Sequence, residues 1–140
     1  MKLKTSLMIC ALAALSSCTD DGICIKGQGE IESKVMDLEA FSGIDLTEAA
    51  DVTIQQGDVQ KVTVTGHGNI LERLQSKVRN GIWDIDLEKG CYRSYQLQID
   101  ITVPDLDLIS LSGSGDVYVH AFEDQPNLDL DISFNSLFES

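Results

Sequence analysis

Between Ile44 and Ile132 the chain keeps returning to one pattern, apolar residues separated by single polar ones. Ile44-x-Leu46, Val52-x-Ile54, Val62-x-Val64, Leu97-x-Ile99-x-Ile101-x-Val103, Ile109-x-Leu111, Val117-x-Val119 and Leu128-x-Leu130-x-Ile132 all carry it, and Ile82-x-x-Ile85-x-Leu87 carries it with one slip. Successive side chains of an extended backbone point to opposite faces, so each segment reads as a strand with one buried face. The chain is therefore expected to be mostly β. Asn80-Gly81, between "SKVR" and "IWDIDL", marks a tight hairpin, because both central residues of the favoured turn need positive φ. Only "NILERL" (69–74) reads as a helical turn, with Ile70, Leu71 and Leu74 on one face and Asn69 as its cap.

Two of the strand pairs are copies of each other. "IDLTEAADVTI" (44–54) aligns with "ISLSGSGDVYV" (109–119) position for position, "VTVTGHGNI" (62–70) is a looser copy, and "LDIS" begins a fourth at Leu130. Short strands joined by such corners at uneven offsets of about twenty residues predict stacked coils, that is, a β-solenoid. In that reading Gly113 and Gly115 take left-handed backbone conformations. Asp116 closes the corner by accepting backbone N–H groups.

The N-terminus is set apart. Lys2 and Lys4 precede an apolar run from Leu7 to Leu15 and then "LSSC", a leader too short to span a bilayer as a stop-transfer helix. The small residues before Cys18 resemble a bacterial lipobox, which implies that residues 1–17 are removed and Cys18 carries lipid. Residues 18–25 are then a tether and 26–140 one domain, held to a membrane through its lipid without spanning it. Losing the leader removes two of the ten basic side chains and none of the 23 acidic ones, for a net charge near −15. Such a field repels phosphate backbones, and nucleic acid is excluded as a partner. Of the four cysteines, Cys10 leaves with the leader and Cys18 is lipidated. Cys24 and Cys91 are left either to pair, as an exported location permits, or to stand as separate thiols.

"KGQGEIESKVMDLEAFSGIDLTEAADVTIQQGD", "NILERLQSKVRNGIWDIDLEKG" and "LQIDITVPDLDLISLSGSGDV" resemble the head GIN domain family of auto-transporter adhesins, over about Lys26 to Val119. The resemblance implies a right-handed β-helix, an exported or lipoprotein location in the cell envelope, and an adhesion role without established catalytic residues. "TDDG" after Cys18 resembles the acidic signals that send lipoproteins to the outer face of the outer membrane. Members of the family continue through further S-G-S-G-D coils, whereas this chain reaches Ser140 inside a coil reading "SFNSLFES", so the domain is expected to be short or truncated. Phe134, Leu137 and Phe138 then either fold back as a cap or leave an open end for an end-to-end homodimer.

The residues that could carry chemistry are few. Asp84-x-Asp86, Asp105-x-Asp107 and Asp129-x-Asp131 set two carboxylates about 7 Å apart on one strand face, the basis of an alternative reading as a carbohydrate-active β-helix enzyme. The acids alternate with Ile or Leu as a solvated face requires, and no base lies beside them, so a solvated face is the expectation. His67 and His120 do not make a spaced metal motif. His67 in "TGHGN" reads as a turn residue. "LSGSGD" does not satisfy G-x-S-x-G, which argues against a Ser/His/Asp hydrolase. No cofactor, no metal site and no catalytic residue is expected. Trp83, facing outward opposite Ile82, would form with Tyr92 and Tyr95 one small aromatic patch for a glycan; a protein ligand is the other partner class.

Overall fold

A computed structural model describes residues 24–120, 122, 123 and the strand at 129–132. The leader, Cys18, and the aromatic tail at 134, 137 and 138 lie outside the described residues. In chain order the elements are β1 (Ile25–Lys26), β2 (Ile31–Met36), β3 (Gly43–Leu46), β4 (Asp51–Gln56), β5 (Lys61–His67), α1 (Gly68–Leu71), β6 (Val78–Arg79), β7 (Ile82–Ile85), β8 (Tyr92–Arg93), β9 (Leu97–Val103), β10 (Leu108–Leu111), β11 (Asp116–Val119) and β12 (Asp129–Ile132).

β3, β4, β5, β7 and β9 become strands because each buries one row of apolar side chains. Two five-stranded sheets result, ordered β12-β10-β3-β7-β6 and β11-β4-β9-β5-β2. Ile44, Leu46, Trp83, Ile85 and Ile109 from the first sheet form one hydrophobic cluster with Val52, Ile54, Val64, Ile99 and Ile101 from the second. The Asn80-Gly81 turn forms as expected, with φ of 52° and 75° at its two residues, and it joins β6 to β7 antiparallel. The helical turn also forms, with Ile70 and Leu71 buried, but it starts two residues earlier than a cap at Asn69 would set, and His67 stands at the cap position without a side-chain bond. Asn69 instead fastens the N-terminal segment: its Oδ1 accepts from the Gln28 N–H at 2.9 Å and its Nδ2 donates to the Lys26 carbonyl at 2.8 Å.

The expected right-handed β-helix does not form. A solenoid stacks each coil on the one before it, with neighbouring strands parallel. Here β7 and β9 lie on the opposite side of β3 and β4 from β10 and β11, so spatial order departs from chain order. β2 and β6 run antiparallel to their partners, and β5 runs antiparallel to both β2 and β9. The sheets are therefore mixed and open. What survives of the repeat is local. Its two best copies lie side by side in register, Ile44 beside Ile109 and Val52 beside Val117. β12 extends that row, with Leu130 beside Ile109. The looser copy at 62–70 is no coil, since β5 leads into α1.

Cys24 and Cys91 form a disulfide, with Cα atoms 4.5 Å apart and a sequence separation of 67. It closes the side of the molecule where β1 pairs with β8 over only two residues each. In the chain-entropy picture a loop of that length stabilises by up to about 4 kcal/mol. No helix among the described residues is long and apolar enough to cross a membrane.

Candidate binding surface

The corners of the two repeat copies stack on one side of the molecule, and backbone groups hold them. The N–H groups of Ser112 and Gly113 donate to the Leu46 carbonyl at 3.0 and 3.2 Å, and the Thr47 N–H donates to the Ile85 carbonyl at 3.4 Å. A Cβ on Gly113 would lie 2.6 Å from the Glu48 carbonyl oxygen; one on Gly115 would lie 2.8 Å from the Ala50 nitrogen and closer still to its carbonyl oxygen. Both glycines are thus required by close backbone approach. Their expected left-handed conformation is not observed, since the positive-φ glycines among the described residues are Gly29 and Gly81. Asp116 also departs from expectation. Its carboxylate is exposed, it lies beside Asp51 on the next strand, and the Leu46 carbonyl does the corner-closing assigned to it.

Trp83 does not join an exposed patch. It is fully buried, stacks at a tilt on Phe41 with ring centroids 5.7 Å apart, and donates from Nε1 to the Gln75 carbonyl at 3.1 Å. The hairpin sets its direction, because Trp83 pairs with Val78 on the core face while Ile82 pairs with Arg79. Tyr92 and Tyr95 do come together, edge to face at 6.3 Å, both half-buried. The Tyr92 hydroxyl donates to the Glu88 carbonyl, and the Tyr95 hydroxyl reaches Glu48 Oε2 at 3.4 Å.

Glu48 occupies, in its copy of the repeat, the place that Gly113 fills in the other. Burial pushes its carboxyl above the ordinary value, and the adjacent Asp86, which shares a hydrogen bond with it and repels its charge, pushes it further. Burial and the Glu48 charge likewise raise the Tyr95 phenol, which stays an O–H donor at neutral pH. Beyond Tyr95 opens a cleft of about 460 Å³ at one end of the second sheet, lined by Ala49–Asp51, Tyr95–Gln98, Ser114–Gly115, Thr65 and Ile31. Asp51, Gln98 and Thr65 are consecutive neighbours across β4, β9 and β5, so amide, carboxylate and hydroxyl groups stand in one row beside an aromatic ring. Glu48, Asp51 and Gln98 were not singled out in the sequence; the one signal for Glu48 is that it interrupts an otherwise close repeat.

The aspartate pairs divide. Asp84 faces Arg79 at 3.8 Å across an exposed surface, whereas Asp86 turns to Glu48. Asp105 and Asp107 lie exposed in the turn before β10; the side chains of Asp129 and Asp131 lie outside the described residues. No group of three or more His, Cys, Asp or Glu suited to a metal ion occurs among the described residues. His67 ends β5 rather than sitting in a turn, and its Nδ1 accepts from the Gln96 N–H at 3.2 Å. His120 follows β11, its N–H bonded to the Ile54 carbonyl at 2.9 Å.

Two mixed sheets with an open, polar cleft edged by Tyr95 define an all-β domain. Residues 40–139 match the family model described as "Putative auto-transporter adhesin, head GIN domain", and the chain belongs to that family. Solved structures share the fold. A putative adhesin from Bacteroides fragilis superimposes with a TM-score of 0.69 at 23% identity, over 76% of this chain and 51% of its own. One from Parabacteroides merdae gives 0.71 at 12% identity, over 79% and 47%. A putative lipid binding protein from Parabacteroides distasonis gives 0.59 at 21% identity, over 68% and 43%. The chain thus spans about half the length of these structures. No protein of curated function matches it.

Proposed function

We propose that this chain is an adhesin-like binding protein of the cell envelope, lipid-anchored at Cys18, that holds a glycan in the cleft beside Tyr95. The observation that carries the reading is the row Asp51, Gln98 and Thr65 next to a half-buried tyrosine. Sugars are bound by this combination, hydroxyls by amide and carboxylate groups and the ring face by an aromatic side chain. Family membership supports binding over catalysis. The carboxylates around the cleft and the net charge, −13 for the full sequence and more negative once residues 1–17 are removed, disfavour uronates and sialylated chains, so a neutral or amino-sugar glycan is the matching class. In this reading residues 1–17 are the leader, the expected tether shortens to the residues before the disulfide-bonded Cys24, and the outer membrane is the site of anchoring.

The test is a glycan array probed with wild-type protein, Tyr95→Ala and Gln98→Ala. Neutral or amino sugars should be retained by the wild type and lost by both variants. Retention that survives both substitutions would remove the cleft from the proposal. For the anchor, Cys18→Ala should release the protein from the membrane pellet, and its remaining there would sink the lipoprotein reading.

A further inference from the structure

We infer that β2 is a self-complementary edge that joins two copies of this chain through an antiparallel β2–β2 pair, making one ten-stranded sheet of the two second sheets. Among the described residues β2 terminates its sheet and pairs on one side only, with β5. An edge of six residues with a free row of backbone N–H and C=O groups is a template for another strand. Two of its side chains are large, apolar and exposed, Ile31 at 47% and Val35 at 63%.

The sequence of the strand chooses its partner. A two-fold axis normal to the sheet must pass where a residue faces its own copy, so only a few registers are open to it. Centring on Glu32 sets like acids opposite each other, centring on Lys34 sets two ammonium groups opposite, and centring on Ile31 brings Glu30 against Glu32. Centring on Ser33 places Ile31 opposite Val35 and Glu32 opposite Lys34, each twice. That register matches apolar with apolar on one face and opposite charges on the other, the pairings that stabilise neighbouring strands. The faces are consistent with the fold. Ser33 and Val35 stand with Thr65 and Thr63, and Ser33 Oγ bonds Thr65 Oγ1 at 2.7 Å. Glu32 and Lys34 stand on the opposite face, the core side of β5 with Gly66 and Val64, where β2 overhangs the core and both side chains remain exposed. A generic strand added here would leave Glu32 and Lys34 against unmatched neighbours, whereas a second copy supplies both counter-charges.

One strand pair is a small interface, so association should be reversible. The experiment is sedimentation equilibrium of the full chain in density-matched detergent, from roughly 1 to 500 μM, the range in which an interface of this size dissociates. The wild type should pass from monomer to dimer. Glu32→Lys and Lys34→Glu should each remain monomeric, and an equimolar mixture of the two should form a heterodimer, because the swapped charges then face each other. Removal of residues 134–140 should leave the wild-type dimer intact, which separates this contact from an end-to-end one. A wild type that stays monomeric, single variants that dimerise like the wild type, or a mixture that fails to associate would each overturn the inference.

Discussion

Gly115→Ala adds a single methyl group, and the structure states where it goes. The new Cβ would lie 2.8 Å from the Ala50 nitrogen and 3.0 Å from its carbonyl carbon, with the carbonyl oxygen nearer still. Every colliding atom is backbone, so no side chain can rotate away, and β11 must move off β4. Restoring ordinary contact needs a shift on the order of 1 Å, enough to spoil ladder bonds between strands normally about 4.8 Å apart. Overpacking of this kind costs about 1–3 kcal/mol. The cost is capped by letting β11 detach, which forfeits two or three bonds worth about 1 kcal/mol each. The expected loss is therefore about 2–3 kcal/mol in urea titration, with faster amide exchange at 116–119. Gly29→Ala is the control for backbone conformation alone. Gly29 has φ of +85° with nothing within 4 Å of the added atom, so it should cost about 1 kcal/mol and leave exchange at β11 unchanged. A Gly115→Ala protein within about 0.5 kcal/mol of wild type, with β11 fully protected, would refute close approach as the reason for this glycine.

Three further outcomes follow. Trp83→Ala should destabilise by about 3–5 kcal/mol, and the wild-type tryptophan fluorescence should be blue-shifted and shielded from acrylamide; free quenching would contradict its burial. Reducing the disulfide, or Cys24→Ser with Cys91→Ser, should cost up to about 4 kcal/mol by urea midpoint, and an unchanged midpoint would deny it any constraining role. Glu48 binds its proton more tightly in the folded chain than in the unfolded one, so stability falls as pH rises from the ordinary carboxylate value through its raised one. Mild acidification should accordingly raise the melting temperature, and Glu48→Gln should abolish that part of the pH dependence; a Gln variant with the wild-type profile would place the titration elsewhere.

Strand identity was legible wherever one face is buried, because alternation records burial directly. The Asn80-Gly81 turn was legible for the same local reason, since positive φ at both positions selects those residues. β2 was invisible: exposed along almost its whole length, it bears no apolar row to read. The order of the sheets was also hidden. The repeat told correctly that 44–54 and 109–119 are neighbours, but nothing local says that β7 and β9 take the other side of β3 and β4. That choice rests on contacts distant in sequence. Trp83 was misplaced because Ile82 and Trp83 are both apolar, so alternation could not choose between them; pairing with Val78 did. Of the aromatic patch, Tyr92 and Tyr95 were found from the sequence, while the polar row beside them is assembled from three separate strands.

The Cys24–Cys91 bond also determines how the molecule would bear a mechanical pull. Tension entering from the N-terminal side meets the disulfide at the first described residue and crosses directly to Cys91. Extension between the two ends of the chain therefore bypasses residues 25–90, which contain β1 to β7 and the corner carrying Glu48. However hard the ends are drawn apart, that segment cannot be paid out as slack while the bond is intact. While the bond holds, load is routed around three of the five strands of each large sheet.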